Sequence, residues 1–86
     1  MNGDAIPIHG AEGSLGKVTA RQATVVAGIA RGLSDSEIAE ILRISPRTVR
    51  AHAEVAKLKV NAKRRAELPY AFFCATGLNP LTQVFP

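Results

Sequence analysis

The 86-residue chain has little of what disulfide-rich, membrane-spanning or multidomain proteins need. Its single cysteine, Cys74, excludes an internal disulfide. The longest stretch without a charged residue, 68–86, is interrupted by three prolines and several polar residues, which excludes a membrane span. The N-terminus has neither the basic start nor the apolar run of a secretory signal. A chain of this length holds one small domain, and we expect it in a reducing cytoplasm.

Residue patterns typical of catalysis or metal binding are also missing from the sequence. No cysteine, aspartate or second histidine lies at ligand spacing from His52, which favours a structural role for this residue. Cys74 has no partner base in the sequence, so we expect a small core residue rather than a nucleophile. There is no phosphate-cradling glycine loop and no catalytic pair of carboxylates. The sequence therefore predicts neither an enzyme nor a metal or cofactor site.

Charge is distributed unevenly along the chain. Residues 1–42 carry three basic residues against five acidic ones, a net charge of −2. Residues 43–65 carry eight basic residues and one acidic residue, Glu54, a net charge of +7. A basic block of this kind indicates a polyanionic partner, and a solvated helix face is the alternative that charge alone leaves open.

Composition divides the chain into three segments. Residues 1–16 contain four of the seven glycines and no apolar period, which predicts a flexible N-terminal arm or a loosely docked lead-in. A domain is expected over 17–78. Residues 79–86 form a short apolar tail with a turn at Asn79 and Pro80.

Start and stop signals predict the first two helices of this domain. One helix is expected over 20–31, with Thr19 as its N-cap and Gly32 as a left-handed end. Residues 34–37 form a capping box, in which a serine and a glutamate bond to each other's backbone amides. This box predicts a second, short helix over 35–42.

Two further helices follow, and the second and third together have the outline of a helix-turn-helix. Ser45 is an N-cap and Pro46 stands at the first helical position, which predicts a helix over 46–60. A turn of about three residues separates it from the helix before it, as in a helix-turn-helix. The fourth helix is expected over 65–76, capped by Gly77.

The third helix has two distinct faces. Apolar residues at spacings of four, three and four predict a stripe that packs on the first two helices: Val49, Ala53, Ala56 and Val60. Arg47, Arg50, Ala51, Glu54 and Lys57 fall on the opposite face. The sequence thus predicts a mostly basic outward surface on this helix.

Several short motifs occur in a fixed order from residue 18 to residue 78. They are Val18-Thr19-Ala20-Arg21-Gln22, Gly32-Leu33-Ser34, Glu37-Ile38-Ala39, Ile44-Ser45, Thr48-Val49-Arg50, His52, Lys59, Arg65-Ala66-Glu67 and Gly77-Leu78. In this order and spacing, the chain resembles the LuxR-type (GerE-like) DNA-binding domain of bacterial transcription regulators. The match runs without gaps and is far more specific than any one motif.

The resemblance implies an all-α, four-helix helix-turn-helix bundle whose third helix enters the major groove of double-stranded DNA, usually as a dimer joined through the fourth helix. Arg50 and Ala51 would lie near base edges, and an arginine suits bidentate contact with guanine. The residues expected toward phosphates are Arg47, Thr48, Lys57 and Lys59. Glu54 departs from the family pattern, because a carboxylate repels phosphate unless it accepts from a cytosine amino group.

The fourth helix and the tail are expected to form a self-association or partner surface. All four aromatic residues of the chain lie in its last 17 residues, and Leu68, Phe72 and Ala75 are enough to cover the bundle side of the helix. The remaining exposed apolar side chains would form a patch of the kind that marks interfaces. The residues predicted in this surface are Tyr70, Phe72, Phe73, Leu81 and Phe85. A tail that folds back and buries its own aromatics is the alternative.

The leading functional hypothesis is a sequence-specific DNA-binding transcription regulator at the bacterial nucleoid, acting as a homodimer. The alternative is a co-regulator or antiactivator that keeps the fold and pairs with another regulator through 65–76 and the tail. It is motivated by the expectation that no sensory domain precedes the helix-turn-helix. A third possibility, a sigma-factor region, fits the motifs at 65–67 and 77–78 less well.

Overall fold

A computed structural model describes residues 6–7 and 17–86 of the chain. Within these residues the structure contains two short strands and four α-helices: β1 (Ile6–Pro7), β2 (Lys17–Val18), α1 (Ala20–Ala30), α2 (Asp35–Leu42), α3 (Pro46–Val60) and α4 (Leu68–Thr76). Two 3₁₀ turns, Arg65–Glu67 and Pro80–Thr82, flank α4. The predicted all-α, four-helix helix-turn-helix fold is confirmed.

The two strands lie before α1 and pair antiparallel, with Ile6 opposite Val18 and Pro7 opposite Lys17. Val18 is fully buried and Ile6 packs against the core. At these two residues the strand pairing fits the docked lead-in rather than the flexible arm. The rest of the predicted arm lies outside the described residues.

Helices α1, α2 and α3 begin at side-chain caps, as the sequence predicts. Thr19 and Ser34 each accept from the backbone amide three residues later, and the side chains at those positions, Gln22 and Glu37, accept from the cap amides in return. Ser45 Oγ accepts from the Thr48 amide at 3.0 Å. These bonds satisfy amides that have no partner inside the helix, which is why each helix begins where it does.

The helix ends follow from residues in the left-handed backbone region. Gly32 and Gly77 have φ of +82° and +77° after α1 and α4. Arg43 and Asn61 adopt φ of 60° and 62° after α2 and α3. The predicted bounds of α2 and α3 are confirmed, α1 ends one residue earlier than expected, and α4 begins at residue 68 because residues 65–67 form a 3₁₀ turn.

The core lies where α1 and α4 meet the α2–α3 pair. Its largest fully buried side chains are Phe72, Ile38, Leu68, Val18, Val25, Val26 and Val49. The predicted apolar stripe of α3 is buried along its whole length, and Ala39 of α2 is buried too, which allows a close helix crossing. The expectation that Cys74 is a core residue is wrong: Cys74 is exposed, and Thr76 is buried instead with its hydroxyl donating to the Phe72 carbonyl at 2.7 Å.

The C-terminal tail folds back onto α1. The Arg31 guanidinium donates to the Ala27 carbonyl at 2.8 Å and to the Leu81 carbonyl at 3.0 Å, and it lies 5.3 Å from the centre of the Phe85 ring. A Cβ at Gly28 would lie 2.9 Å from both Ile38 Cγ1 and Phe85 Cε1. Glycine at this position therefore lets the tail ring and α2 approach α1 at the same point.

Among the helices of the described residues, none is both long and apolar enough to cross a membrane.

Candidate nucleic-acid interface

The outward side of α3 presents most of the predicted DNA-binding residues to solvent. Five of the seven are exposed: Arg47, Thr48, Arg50, Ala51 and Glu54. Lys57 and Lys59 are half-buried. Because the opposite side of α3 is fixed in the core by its buried stripe, the exposed side has one defined orientation relative to the rest of the bundle.

Arg50 is an exposed arginine with a single ion-pair contact among the described residues. Its side chain is 75% exposed, and its Nε lies 3.6 Å from Asp35 Oδ2 in the first turn of α2. That separation is an ion-pair distance and is longer than an ordinary hydrogen bond. Such an exposed pair is weak, so the guanidinium remains available to another partner.

Glu54 forms an ion pair with Lys57 within α3. Lys57 Nζ lies 3.4 Å from Glu54 Oε2 and 3.5 Å from Oε1, an exposed contact between residues three apart. The Glu54 side chain is 60% exposed and that of Lys57 20%, and a pair of this kind on a helix surface contributes little energy. The pair explains how an acidic residue is accommodated on an otherwise basic surface.

Lys59 lies on the flank of α3 that faces α1. Its Nζ donates to Gln22 Oε1 at 3.0 Å, beside the N-terminus of α1. Nine residues separate Lys59 from Arg50, which at about 100° a residue is half a turn around the helix. The two side chains therefore belong to opposite flanks of the exposed surface, and the predicted contact of Lys59 with phosphate stays a prediction.

His52 lies on the same flank as Lys59. Partial burial lowers the pKa of this imidazole below its ordinary value, and the nearby positive charge of Arg21 lowers it further. No three His, Cys, Asp or Glu side chains come together as a metal site within the part of the chain that the structure describes.

Two residues of the site were missed by sequence reasoning. Asp35 contacts Arg50 from α2, and Arg65 donates to Asp35 Oδ1 at 2.6 Å and to the Leu33 carbonyl at 3.0 Å. Asp35 and Arg65 are distant in sequence, so no spacing rule connects them. Leu58, 79% exposed near the end of α3, adds an apolar side chain to the outward surface.

The combination of a capped α2–α3 pair and an exposed basic α3 surface agrees with a comparison against known protein families. The model of the bacterial regulatory proteins of the luxR family matches residues 17–70, more than half of the chain. The chain belongs to the luxR family. This is a family of DNA-binding transcription regulators with a helix-turn-helix. Comparison with curated proteins and with solved structures returned no significant match.

A second exposed surface of this luxR-family chain lies at α4 and the tail. Tyr70 is 73% exposed, Phe73 48% and Leu81 54%. With their neighbours they line a groove of about 380 Å³ formed by Ala30, Pro69, Tyr70, Phe73, Asn79, Pro80 and Leu81. Side-chain hydrogen bonding with the nearby Cys74 thiol raises the pKa of the Tyr70 phenol. The structure thus brings three of the five residues predicted for a partner surface together.

The other two residues predicted for that surface lie elsewhere. Phe72 is fully buried among the bundle helices, so its inclusion in the surface is corrected: it is a core residue. Phe85 is partly buried, packed against the core and covered by Arg31. The folded-back tail therefore takes Phe85 out of the patch but leaves Leu81 in it.

Proposed function

We propose that the chain binds double-stranded DNA sequence-specifically with α3 in the major groove. The observation that carries this proposal is the exposed, mostly basic side of α3, held in one orientation by the α2–α3 helix-turn-helix. The membership of the luxR family supports it. The protein would act in this way at the nucleoid, in the cytoplasm.

Each residue of this surface has a role in the proposal. Arg50 donates to guanine O6 and N7, and the small side chain of Ala51 lets the helix approach the base edges. Arg47 and Thr48, in the first turn of α3, contact phosphates and fix the register. Lys57 and Lys59 contact the phosphates of the two groove walls, since they lie on different flanks of the helix.

The proposed active species is a homodimer joined through the exposed α4 and tail surface of Tyr70, Phe73 and Leu81. A two-fold dimer would place its two α3 helices about 34 Å apart, one turn of the duplex. Its operator would then be a palindrome with that spacing between half-sites.

Fluorescence anisotropy with two duplexes tests whether the chain binds DNA sequence-specifically. One duplex is selected from a random pool with the wild type, and the other has a random sequence. Arg50→Ala should lose discrimination of roughly 1–3 kcal/mol between the two duplexes. Lys57→Ala should weaken both duplexes alike and lower the slope of log affinity against log salt by about one. Equal affinity of the wild type and both variants at low salt would refute the proposal.

A co-regulator or antiactivator that pairs with another regulator is the second candidate. The observation that favours it is the same exposed aromatic groove of about 380 Å³, which lies apart from the α3 surface. Sedimentation of the wild type and of Phe73→Glu separates the candidates. A wild-type dimer that the variant dissociates, with its helix content intact, supports the homodimer. A wild-type monomer at about 100 μM that binds no duplex favours the second candidate.

A further inference from the structure

We propose that Asp35 is a positioning residue that sets the base preference of Arg50. Its carboxylate attracts the Nε edge of the guanidinium and thereby leaves Nη1 and Nη2 for a base. This inference rests on the proposed function, because it concerns how the same α3 surface tells one base pair from another. Asp35 itself lies on α2 and would touch Arg50 rather than the base.

The Asp35 carboxylate is a fixed group. Arg65 Nη1 donates to its Oδ1 at 2.6 Å, while Arg65 Nη2 donates to the Leu33 carbonyl at 3.0 Å, just before α2. The Asp35 side chain is only 19% exposed. Its place in the first turn of α2, next to the positive end of the helix, favours a carboxylate there. The second oxygen, Oδ2, is directed to Arg50.

Arg50 has a carboxylate beside its Nε edge, and its terminal nitrogens are open. Its Nε lies 3.6 Å from Asp35 Oδ2, and the rest of its side chain is mostly in solvent. A guanidinium has five N–H donors in a rigid plane. When the Nε edge faces a carboxylate, the two terminal nitrogens are left pointing forward as a pair. That pair matches the two acceptors, O6 and N7, that guanine shows in the major groove.

This arrangement has opposite effects on specific and non-specific binding. A side chain that a nearby carboxylate biases toward one orientation has less freedom to lose when it meets the base that fits it, so the cost of ordering it falls for that base. A carboxylate close to the duplex also repels phosphates, whatever the sequence. Asp35 should therefore lower the affinity for all duplexes while it raises the preference for the base read by Arg50.

The experiment first locates that base. Selection from a pool of random duplexes, carried out with the wild type and with Arg50→Ala, identifies the base pair whose preference depends on Arg50. Anisotropy then compares two duplexes that differ only at this pair. The variants are Asp35→Asn, which keeps the shape and removes the charge, and Glu40→Gln as the matched control. Glu40 is exposed on the same helix and carries the same charge.

We expect Asp35→Asn to bind the mismatched duplex at least as tightly as the wild type. Its discrimination between the two duplexes should fall by roughly two- to fivefold, because the bias cannot exceed the energy of an exposed ion pair. Glu40→Gln should leave discrimination unchanged. If Asp35→Asn folds poorly, Asp35→Ser replaces it in the same experiment, because serine also suits the first turn of a helix.

A double-mutant cycle separates positioning from a general structural effect. In the Arg50→Ala background, Asp35→Asn should cause no further loss of discrimination, because the group that it positions is gone. The same loss in both backgrounds, or unchanged discrimination in Asp35→Asn alone, would overturn the inference. A wild type that enriches no sequence from the pool would instead refute the proposed function itself.

Discussion

The α2–α3 pair and the α4–tail region reach their structures by different routes. Side-chain caps start α2 and α3, and residues in the left-handed region end them. Helix α4 has no side-chain cap at its start, follows a 3₁₀ turn, and is held by Leu68 and Phe72 in the core. Local signals thus determine where α2 and α3 begin, whereas contacts with the rest of the molecule determine where α4 begins.

The two regions also present different chemistry to solvent. The exposed side of α3 carries arginines, and its one acidic residue is paired with a lysine. The exposed side of α4 and the tail carries aromatic and aliphatic side chains. This difference suits α3 to a polyanion and the α4 region to another apolar surface.

The largest expected effect tests the dependence of α4 on the core. Phe72→Ala should lower the free energy of unfolding by about 3–5 kcal/mol, because it empties a fully buried aromatic site. Phe73→Ala, one residue further on but 48% exposed, should change it by less than about 1 kcal/mol. Urea unfolding followed by circular dichroism measures both. Similar losses for the two variants would contradict the division into core and surface aromatics.

A smaller effect tests the local start of α3. Ser45→Ala removes the oxygen that accepts from the Thr48 amide and should cost about 1 kcal/mol of stability. Ser36→Ala, an exposed serine within α2, should cost less than about 0.5 kcal/mol. Thermal unfolding of both variants gives the comparison. If the two serines proved equivalent, the cap would not explain where α3 begins.

The smallest expected effect is a dependence of the free energy of unfolding on pH, which arises from His52 in α3. Burial, and secondarily Arg21, lowers the pKa of His52 below its unfolded value, so the unfolded chain binds more protons at this position. The free energy of unfolding should therefore decrease slightly as pH falls through about 6.5 and level off below the folded pKa. His52→Gln should remove this contribution to the slope of the free energy of unfolding against pH. Urea midpoints between about pH 7.5 and 5.5 measure it, and an identical slope in both proteins would contradict the assignment.

The sequence predicted the elements that depend on neighbouring residues. The bounds of α2 and α3, the left-handed Asn61 and the buried stripe of α3 all follow from caps and periodicity that can be read directly. The exposure of Arg47 and Arg50 follows from the same periodicity, since a buried stripe fixes the opposite face.

What the sequence did not predict depends on contacts between distant residues. The Arg50–Asp35–Arg65 chain joins three separate elements, and the strand pairing of Ile6 brings part of the predicted arm to the core. Helix α4 is apolar on several sides, so its periodicity did not distinguish Cys74, which is exposed, from Thr76, which is buried. The packing of α1, α3 and the tail against α4 decides between such residues.

The close approach of Ile38 and Phe85 to Gly28 restricts which residues can be substituted at position 28. Any side chain at this position would collide with Ile38 and with the Phe85 ring. A variant that lost the tail, or exchanged Phe85 for a small residue, would remove one of these two obstacles. Because Ile38 remains as the other obstacle, a side chain at position 28 is expected only in sequences with smaller residues at both 38 and 85, so that the tail and the second helix together restrict the choice of residue in the first.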